Sequence, residues 1–180
     1  MSNTLNKTKK VAFCGIISAL SIVVLLLAYF PYLTYATPAI ASLVIMVCFI
    51  EIDAKWAVAC YLASILPIFL TAEIESKILY IVFFGYYPIL KAVIEKVKSR
   101  ALEWFLKILT FNGIVILVYC LSIYIFGFKL EELGDLGIYS LYVLLFLGNV
   151  IFILYDMCIE RIAALYMLRL HNSVKKFLNR

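Results

Sequence analysis

The sequence predicts an all-α integral membrane protein, a compact bundle of six transmembrane helices with both termini in the cytoplasm. Of the 180 residues, 66% are hydrophobic and 15% are charged, a composition that a soluble domain of this size cannot carry on its surface. Lys and Arg collect in alternate gaps between the apolar segments, as they do in short cytoplasmic loops. Six spans of about 20 residues use most of the chain, so we expect residues 1–180 to form a single transmembrane domain.

The gaps between the apolar segments differ in charge. Basic residues fill the start of the chain, the segment 91–100 and the tail after Arg161. The turn at 31–37 has no charge, and the segment 129–135 is mainly acidic. The net charge of +5 therefore indicates topology, not affinity for nucleic acid, and we expect a multi-pass protein of a bacterial cell membrane whose basic groups lie near anionic lipid headgroups.

The first three spans lie close together in the sequence. The first follows a basic start and ends at Pro31, and it is longer than the apolar part of a signal peptide, so we expect it to be retained. The second is short and has Pro38 near its start, where the missing N–H costs least. The third contains Pro67 one turn from its outer end. Both the second and third are only just long enough to cross a bilayer.

The last three spans are separated by longer polar gaps. Gly85 and Pro88 interrupt the fourth, and the fifth is a long apolar run between the basic and acidic gaps. The sixth is predicted to continue as an amphipathic helix toward Leu170. The approximate limits of the six spans are 11–30, 37–52, 54–70, 78–94, 102–126 and 138–159.

The fifth and sixth spans carry polar side chains at helical spacing. Tyr142, Asn149 and Asp156 are seven residues apart and therefore share a face. Asn112 and Tyr119 are also seven apart. At 1.5 Å per residue, both asparagines lie about 16 Å from the inner ends of their spans, so antiparallel neighbours would bring the two amides to one level. Two interpretations remain open, a hydrogen bond that fixes the register of the helices and a part of a solute site.

Charged residues near the inner ends of these spans predict ion pairs. Lys107 lies at a depth similar to that of Asp156, and we expect these two to pair, or Asp156 to pair with Lys91. Glu103 precedes Lys107 by one helical turn and competes for the same partner.

A second candidate site lies at the outer end of the third and fourth spans. Glu73 is in the polar gap between these spans, and Tyr86 is part of the Gly85–Pro88 break. A carboxylate beside aromatic rings can bind a cationic group of a ligand. The alternative is a loop that is simply solvated.

The cysteines and the histidine predict no metal site, cofactor or catalytic group. The chain has five cysteines, each inside an apolar segment and without CxxC spacing, which argues against a disulfide framework or a zinc site. We expect them to act as small apolar residues. His171 is the only histidine and lies in the polar tail.

Small residues mark one face of the first span. Gly15 and Ala19 are four residues apart, and Ala12 precedes them on the inner half of the helix. Such spacing lets another helix approach closely in lipid. The face serves either for packing inside this bundle or for docking on a different membrane subunit.

A short basic start, Lys9–Lys10, leads directly into this small-residue face, and an outer turn with prolines and a short second span follow within six helices. In this layout the chain resembles the substrate-binding (S) component of energy-coupling factor (ECF) vitamin transporters. In that family a small-xxx-small face on the first helix docks on a transmembrane scaffold subunit driven by two ATPases, and the resemblance implies that Gly15 and Ala19 take that place. No residue signature of the riboflavin, thiamine, biotin, folate, cobalt or tryptophan members is present, so the solute stays open.

The leading functional hypothesis is a substrate-capture component for uptake of a vitamin-like solute, energised by separate ATPase subunits because the chain has no P-loop sequence. The candidate solute-binding residues are Asn112, Tyr119, Tyr142, Asn149, Tyr86 and Glu73. The alternative is a non-transporting structural or assembly protein of the bacterial cell envelope. An intramembrane enzyme ranks third, because one histidine in the tail and one Asp within a span do not supply a catalytic set.

Overall fold

The structure, a computed structural model, describes residues 7–30, 32–97, 99–126, 139–171 and 174–176, with the side chains of 121–126, 139–141 and 144 excepted. All regular secondary structure in these ranges is helical, as predicted. The α-helices are α1 (Lys7–Leu26), α2 (Ala36–Glu51), α3 (Ala54–Thr71), α4 (Ile74–Leu79), α5 (Tyr87–Ile94), α6 (Arg100–Phe126) and α7 (Tyr139–Arg169).

Several of these helices have the length and composition of membrane spans. Within the described ranges, four segments are long and apolar enough to cross a membrane: Lys7–Tyr29, Ala54–Thr71, Ile74–Ile94 and Arg100–Cys120. The apolar helix α2 has 16 residues and extends for about 24 Å, less than a typical hydrocarbon core. These helices are compatible with a membrane protein. The count of six spans, the single domain and the cytoplasmic position of both termini stay predictions.

The helix ends differ from the sequence-based limits where polar residues continue a helix. The first helix begins at Lys7, four residues before the predicted span, because Lys is a good helix former and its charge needs no burial. A 3₁₀ turn, Leu27–Tyr29, then closes that segment. The last helix runs without a break to Arg169, so the predicted continuation toward Leu170 is confirmed.

The fourth span is interrupted at Gly85, as predicted, and its helix already changes at the π-helical turn before that residue. A π-helical turn, Tyr80–Phe84, follows α4, and a turn at Gly85 leads into α5. Pro88 was predicted to interrupt the span, but it is the second residue of α5, where its missing N–H has no intrahelical partner to lose. Gly85 is required at this turn because a Cβ there would lie 2.5 Å from a ring carbon of Tyr61.

By its internal contacts the chain divides into two units, Met1–Val93 with Ile159–Arg180, and Ile94–Cys158. In the first unit, α1, α2 and α3 contact one another. Small side chains allow these close approaches: Ser18 Oγ donates to Cys60 O at 3.1 Å, and Ser21 Oγ donates to Ala41 O at 3.4 Å. One apolar cluster comprises Phe13, Cys14, Ile17, Ile45, Cys48, Ala57, Cys60 and Ile89, and another comprises Leu25, Ala41, Ile68, Ala72 and Tyr80.

The second unit contains α6 and the part of α7 up to Cys158. Side-chain pairs between the two helices join residue 107 to 156 and residue 112 to 149, so the helices are antiparallel. The rings of Phe111 and Phe152 stack with centroids 4.6 Å apart. Gly148 makes room for this pair, because a Cβ there would lie 3.2 Å from the Phe111 ring.

Candidate functional site

Asn112 and Asn149 form a reciprocal amide pair between α6 and α7. Asn149 Nδ2 donates to Asn112 Oδ1 at 2.8 Å, and Asn112 Nδ2 donates to Asn149 Oδ1 at 3.1 Å. The two amides therefore meet, as their matched depths predict. This contact is a local consequence of helical rise and antiparallel pairing.

The remaining donors of the pair are also used. Asn112 Nδ2 donates to Ile108 O at 2.9 Å, and Asn149 Nδ2 donates to Leu145 O at 2.7 Å. An asparagine amide has two N–H donors, so both donors of each side chain are engaged within this unit. Each amide oxygen retains one lone pair for a further partner. A solute at this pair would accept no hydrogen bond unless an existing one broke.

The two tyrosines of the predicted polar stripes differ from each other in exposure. Tyr119 is half-buried on α6, whereas 64% of Tyr142 on α7 is exposed. Asp156, on the same predicted face as Tyr142, is fully buried. The stripe on α7 thus runs from a buried to an exposed environment, and its seven-residue spacing does not give its members one common surrounding.

Lys107 is the centre of a charge cluster in the second unit. Its Nζ lies 2.7 Å from Glu103, 3.0 Å from Asp156 and 3.2 Å from Glu95. The ammonium also lies over the Trp104 ring, 5.3 Å from its centroid. The predicted Lys107–Asp156 pair is confirmed. The three N–H donors of the ammonium match the three carboxylates, so this buried charge is neutralised by its own unit.

Lys91 has a carboxylate partner in the first unit. Its Nζ lies 3.0 Å from Glu160 Oε1, and the lysine is buried while the glutamate is exposed. This contact joins α5 to the last part of α7 within that unit. The exposed carboxylate can be reached by water, which lowers the cost of holding the lysine charge there.

Glu73 has a structural role in the turn before α4. Its side chain caps that helix and accepts from the backbone N–H of Ser76 at 3.0 Å. The neighbouring Glu75 accepts from the hydroxyl of Tyr35 at 2.8 Å. This hydrogen bond, with the carboxylate charge, raises the pKa of Tyr35 above its usual value because ionisation would place two negative charges side by side. Glu73, the carboxylate of the predicted cation site, and the neighbouring Glu75 therefore both have partners in this unit.

Tyr86 belongs to an aromatic group with Tyr61 and Tyr80. The Tyr61 ring lies edge-on to Tyr86 with centroids 6.3 Å apart, and 5.9 Å from the Tyr80 ring. Tyr61 donates to Ile81 O at 2.7 Å, and the hydroxyls of Tyr80 and Ser64 are 3.0 Å apart. The group lies beside the π-helical turn, a local geometry often found at functional sites.

The hydroxyl of Thr37 stands out in the first turn of α2. The residue is 1% exposed, and its Oγ1 is a buried side-chain oxygen without a hydrogen-bond partner among the described residues. Ala41, one turn later on the same helix, belongs to the cluster that contains Leu25 and Tyr80. An unpaired buried hydroxyl costs about 1–3 kcal/mol. A ligand or an ordered water that bonds to this hydroxyl would remove that cost.

The small-residue face of α1 is open. Ala12, Gly15 and Ala19 are all exposed, and a Cβ at Gly15 would meet no atom within 4 Å. Large apolar side chains beside them are exposed too, with 59% of Ile16 and 47% of Leu20 accessible. The opposite face of the helix packs against α2 and α3 through buried residues such as Ile17 and Ser18.

Sequence reasoning missed a group of three cysteines. Cys14, Cys48 and Cys60 come from α1, α2 and α3, and their sulfur atoms all lie within 4.8 Å of one another. Cys14 and Cys60 form a disulfide, and Cys48 Sγ is 3.8 Å from Cys14 Sγ and 3.3 Å from Cys60 Sγ. The sequence argued against a disulfide framework, and this expectation was wrong for Cys14 and Cys60, because spacing along the chain does not measure distance across helices. The signal was available in depth, since all three lie within about 10 Å of the same ends of consecutive spans.

A second missed group surrounds Glu51 at the end of α2. Its carboxylate is buried, and it accepts from the hydroxyl of Tyr166 at 2.7 Å and lies 2.9 Å from His171 Nδ1. Burial and this carboxylate raise the pKa of Tyr166, because the charged phenolate would lose water and face a second negative charge. The contact joins residues more than a hundred positions apart, which no local pattern predicts.

Most of the polar groups singled out by the sequence have partners within their own units. The groups open to further chemistry are the Thr37 hydroxyl, the sulfur cluster and the exposed face of α1. Comparison of the chain with protein-family models, with curated proteins and with solved structures gave no match.

Proposed function

We propose that this protein is a membrane-embedded substrate-capture component for uptake of a vitamin-like small solute, energised by separate ATPase subunits. The observation that carries the proposal is the buried Thr37 hydroxyl without a partner. Buried polar groups are nearly always hydrogen-bonded, so an orphan hydroxyl favours a site that a solute completes. In this proposal the chain crosses the bilayer six times with both termini in the cytoplasm, and Thr37 lies near the outer face.

The helix that begins beside Thr37 leads to a group of aromatic side chains, and in this proposal that group suits a small, partly aromatic solute. The helix continues at Ala41 into the cluster with Tyr80, and Tyr80 is joined to Tyr61 and Tyr86 by ring contacts. Aromatic rings offer apolar area with oriented faces, and the hydroxyl supplies one directional contact. In this proposal Glu73 and the Asn112–Asn149 pair, which the sequence suggested as solute contacts, hold the helices in place and do not touch the solute first.

The experiment is a thermal unfolding assay of the detergent-purified protein across a panel of vitamins and nucleobases. A solute at a hundred times its dissociation constant stabilises the protein by about 2.7 kcal/mol. We expect Thr37→Val to weaken that shift while stabilising the protein without solute by about 1 kcal/mol or more, because the unpaired hydroxyl is gone. Thr110→Val is the matched control, since its hydroxyl already bonds to Leu106 O and Lys107 O.

The outcomes separate solute binding from simple burial. A panel that shifts no unfolding temperature argues against capture of these solutes. A solute shift that survives Thr37→Val unchanged shows that this hydroxyl is not part of the site. Reporter fusions at the two termini test the proposed topology, and a signal from outside the cell at either terminus would contradict it.

The open face of α1 supports a partner subunit in the same proposal. Ala12, Gly15 and Ala19 form an exposed strip on which the backbone of another helix can lie closely. We expect Gly15→Leu to abolish co-purification with a transmembrane scaffold and its ATPases without lowering expression. Gly113→Leu is the control, because Gly113 also has no atom within 4 Å of an added Cβ but lies on α6. Equal loss of partners in both variants would remove the case for a specific face.

A second candidate is a non-transporting structural or assembly protein of the cell envelope. The observation that favours it is the amide pair of Asn112 and Asn149. Their donors are all used, two between the helices and two to carbonyl oxygens one turn earlier in the same helix. The two interhelical bonds are worth about 1.2 kcal/mol together, at about 0.6 kcal/mol each. If the double variant Asn112→Leu/Asn149→Leu keeps every shift in unfolding temperature that a solute causes, the amide pair serves to fix the register of the two helices. A double variant that loses a solute shift while keeping its fold assigns the pair to the site.

A further inference from the structure

We propose that Cys14, Cys48 and Cys60, once reduced, form a binding site for a soft, thiol-seeking metal ion of the Cu(I) type. The three residues come from three consecutive helices and converge with every pair of sulfur atoms inside 4.8 Å. They are 9%, 0% and 0% exposed, respectively. The site is separate from Thr37 and from the small-residue face, so it goes beyond the proposed uptake function.

The distances suit a three-coordinate site. Three sulfurs placed about 2.3 Å from a central metal in one plane are about 4.0 Å apart. Cys48 Sγ already lies 3.8 Å from Cys14 Sγ and 3.3 Å from Cys60 Sγ. The Cα atoms of Cys14 and Cys60 are 5.4 Å apart, which leaves their side chains room to separate by rotation once the bond between them is broken.

The donor set selects the metal. The group consists of three sulfurs, with no histidine or carboxylate among its members in the described part of the chain. Thiolates favour Cu(I) and other soft ions, whereas a structural zinc site needs four ligands. Hard cations such as Mg²⁺ or Ca²⁺ require oxygen ligands, which this group does not offer.

The surroundings exclude water and provide compensating charge. Phe13, Ile17, Ile45 and Ala57 belong to the same buried cluster as the cysteines. Several thiolates around one monovalent ion leave a net negative charge, which is costly in an apolar setting. Lys10 precedes Cys14 by four residues, one turn along the same helix, and is half-buried. Lys10 and Cys14 therefore share a face of α1, and in the proposed site the positive charge of Lys10 offsets part of that negative charge.

The Cys14–Cys60 disulfide and a bound metal ion use the same sulfurs and therefore exclude each other. A dithiol reductant breaks the Cys14–Cys60 bond by exchange and leaves with a disulfide of its own, so two electrons and two protons pass to the cysteines. Cu(I) then replaces thiol protons, which go to water, and no electron moves in that step. Metal bound by the reduced form ties α1, α2 and α3 together, as the disulfide ties α1 to α3 in the oxidised form.

The test uses the full-length protein in which the two exposed cysteines are removed as Cys120→Ser and Cys158→Ser. The protein is reduced with a dithiol, freed of reductant without oxygen, and titrated with Cu(I) against a chromophoric chelator. We expect one tightly held Cu(I) per chain, with an ultraviolet thiolate-to-metal band. Without reduction we expect none, because the Cys14–Cys60 bond occupies two of the three ligands.

Cys48→Ala separates the site from the disulfide. This variant keeps Cys14 and Cys60 and is expected to bind Cu(I) at least a hundredfold more weakly, since even outer-shell changes cost 10–100-fold. X-ray absorption of the Cu(I)-loaded protein measures the metal ligands directly. It is done with all three cluster cysteines in place, so the result does not depend on whether a cysteine variant folds. Three sulfurs at about 2.3 Å support the site. Absence of tight binding by the reduced protein, full binding by Cys48→Ala, or oxygen and nitrogen ligands in the absorption spectrum would overturn it.

Discussion

Replacing Lys107 with Met removes the ammonium at the centre of the charge cluster while keeping the length of the side chain. Asp156 then stays fully buried and loses its ion pair with Lys107, in which Nζ and the carboxylate oxygen are 3.0 Å apart. At an effective dielectric constant of about 20, two charges at that separation attract by about 5.5 kcal/mol. Loss of one partner of a buried pair costs about 3–5 kcal/mol, so we expect Lys107→Met to destabilise the protein by that amount.

The double variant Lys107→Met/Asp156→Leu provides the internal test. Both buried charges are gone, and the remaining carboxylates of Glu103 and Glu95 are 17% and 37% exposed and can turn toward water. We expect the double variant to lie within about 1–2 kcal/mol of the wild type. Even if Asp156→Leu alone had no effect on stability, the coupling between the two sites would be at least about 1 kcal/mol.

Unfolding of the purified protein in a titration with denaturing detergent measures the single variants Lys107→Met and Asp156→Leu and the double variant. Lys96→Met is the matched control, because that lysine is exposed, and its effect is expected within about 0.5 kcal/mol. A Lys107→Met variant as stable as the control, or two single effects that simply add in the double variant, would refute the reasoning that this cluster is held by its buried pair.

Two further predictions concern the first unit. Burial and the hydrogen bond to Glu51 raise the pKa of Tyr166, so the folded protein keeps this proton longer than the unfolded chain does, and stability falls as pH rises above about 10. Tyr166→Phe should flatten that fall in unfolding temperatures measured from about pH 9 to about pH 12, and an unchanged slope would contradict it. Gly85→Ala should destabilise the protein by about 1–3 kcal/mol, because its Cβ would lie 2.5 Å from the Tyr61 ring. The control Gly113→Ala, with open space around it, should stabilise its helix by about 0.5–1 kcal/mol, and equal effects of the two changes would disprove the close contact.

The amide pair and the Lys107–Asp156 pair were predictable because both depend on local regularities. Helical rise gives the depth of a side chain from its sequence position, and antiparallel neighbours bring equal depths together. Asn112 with Asn149 and Lys107 with Asp156 satisfy this condition in one helix pair. Depth could not decide whether the amide pair fixes the register of the helices or forms part of a solute site, since depth does not show how many hydrogen-bond donors are already used.

The cysteine cluster and the function of Glu73 were not predicted. Cys14, Cys48 and Cys60 have suitable depths, but their meeting also requires that three helices each turn the right face inward. Glu73 was considered as a ligand contact, and the structure uses it as a helix cap because α4 begins at the next residue. The sequence-based limits began the fourth span at residue 78, four residues after the start of α4. Glu73 therefore did not stand next to a predicted helix start and was not recognised as a cap.

The sequence by itself determined that the chain is helical and apolar, where its polar side chains lie along each helix, and which of them have matching depths. These properties follow from composition and from the 3.6-residue period, which are local. Only the tertiary structure decided which sulfur atoms converge, that the Thr37 hydroxyl is buried without a partner, and that the face of Gly15 is left open. Those outcomes depend on the rotation of each helix about its own axis, which is set by the packing of side chains from distant parts of the chain.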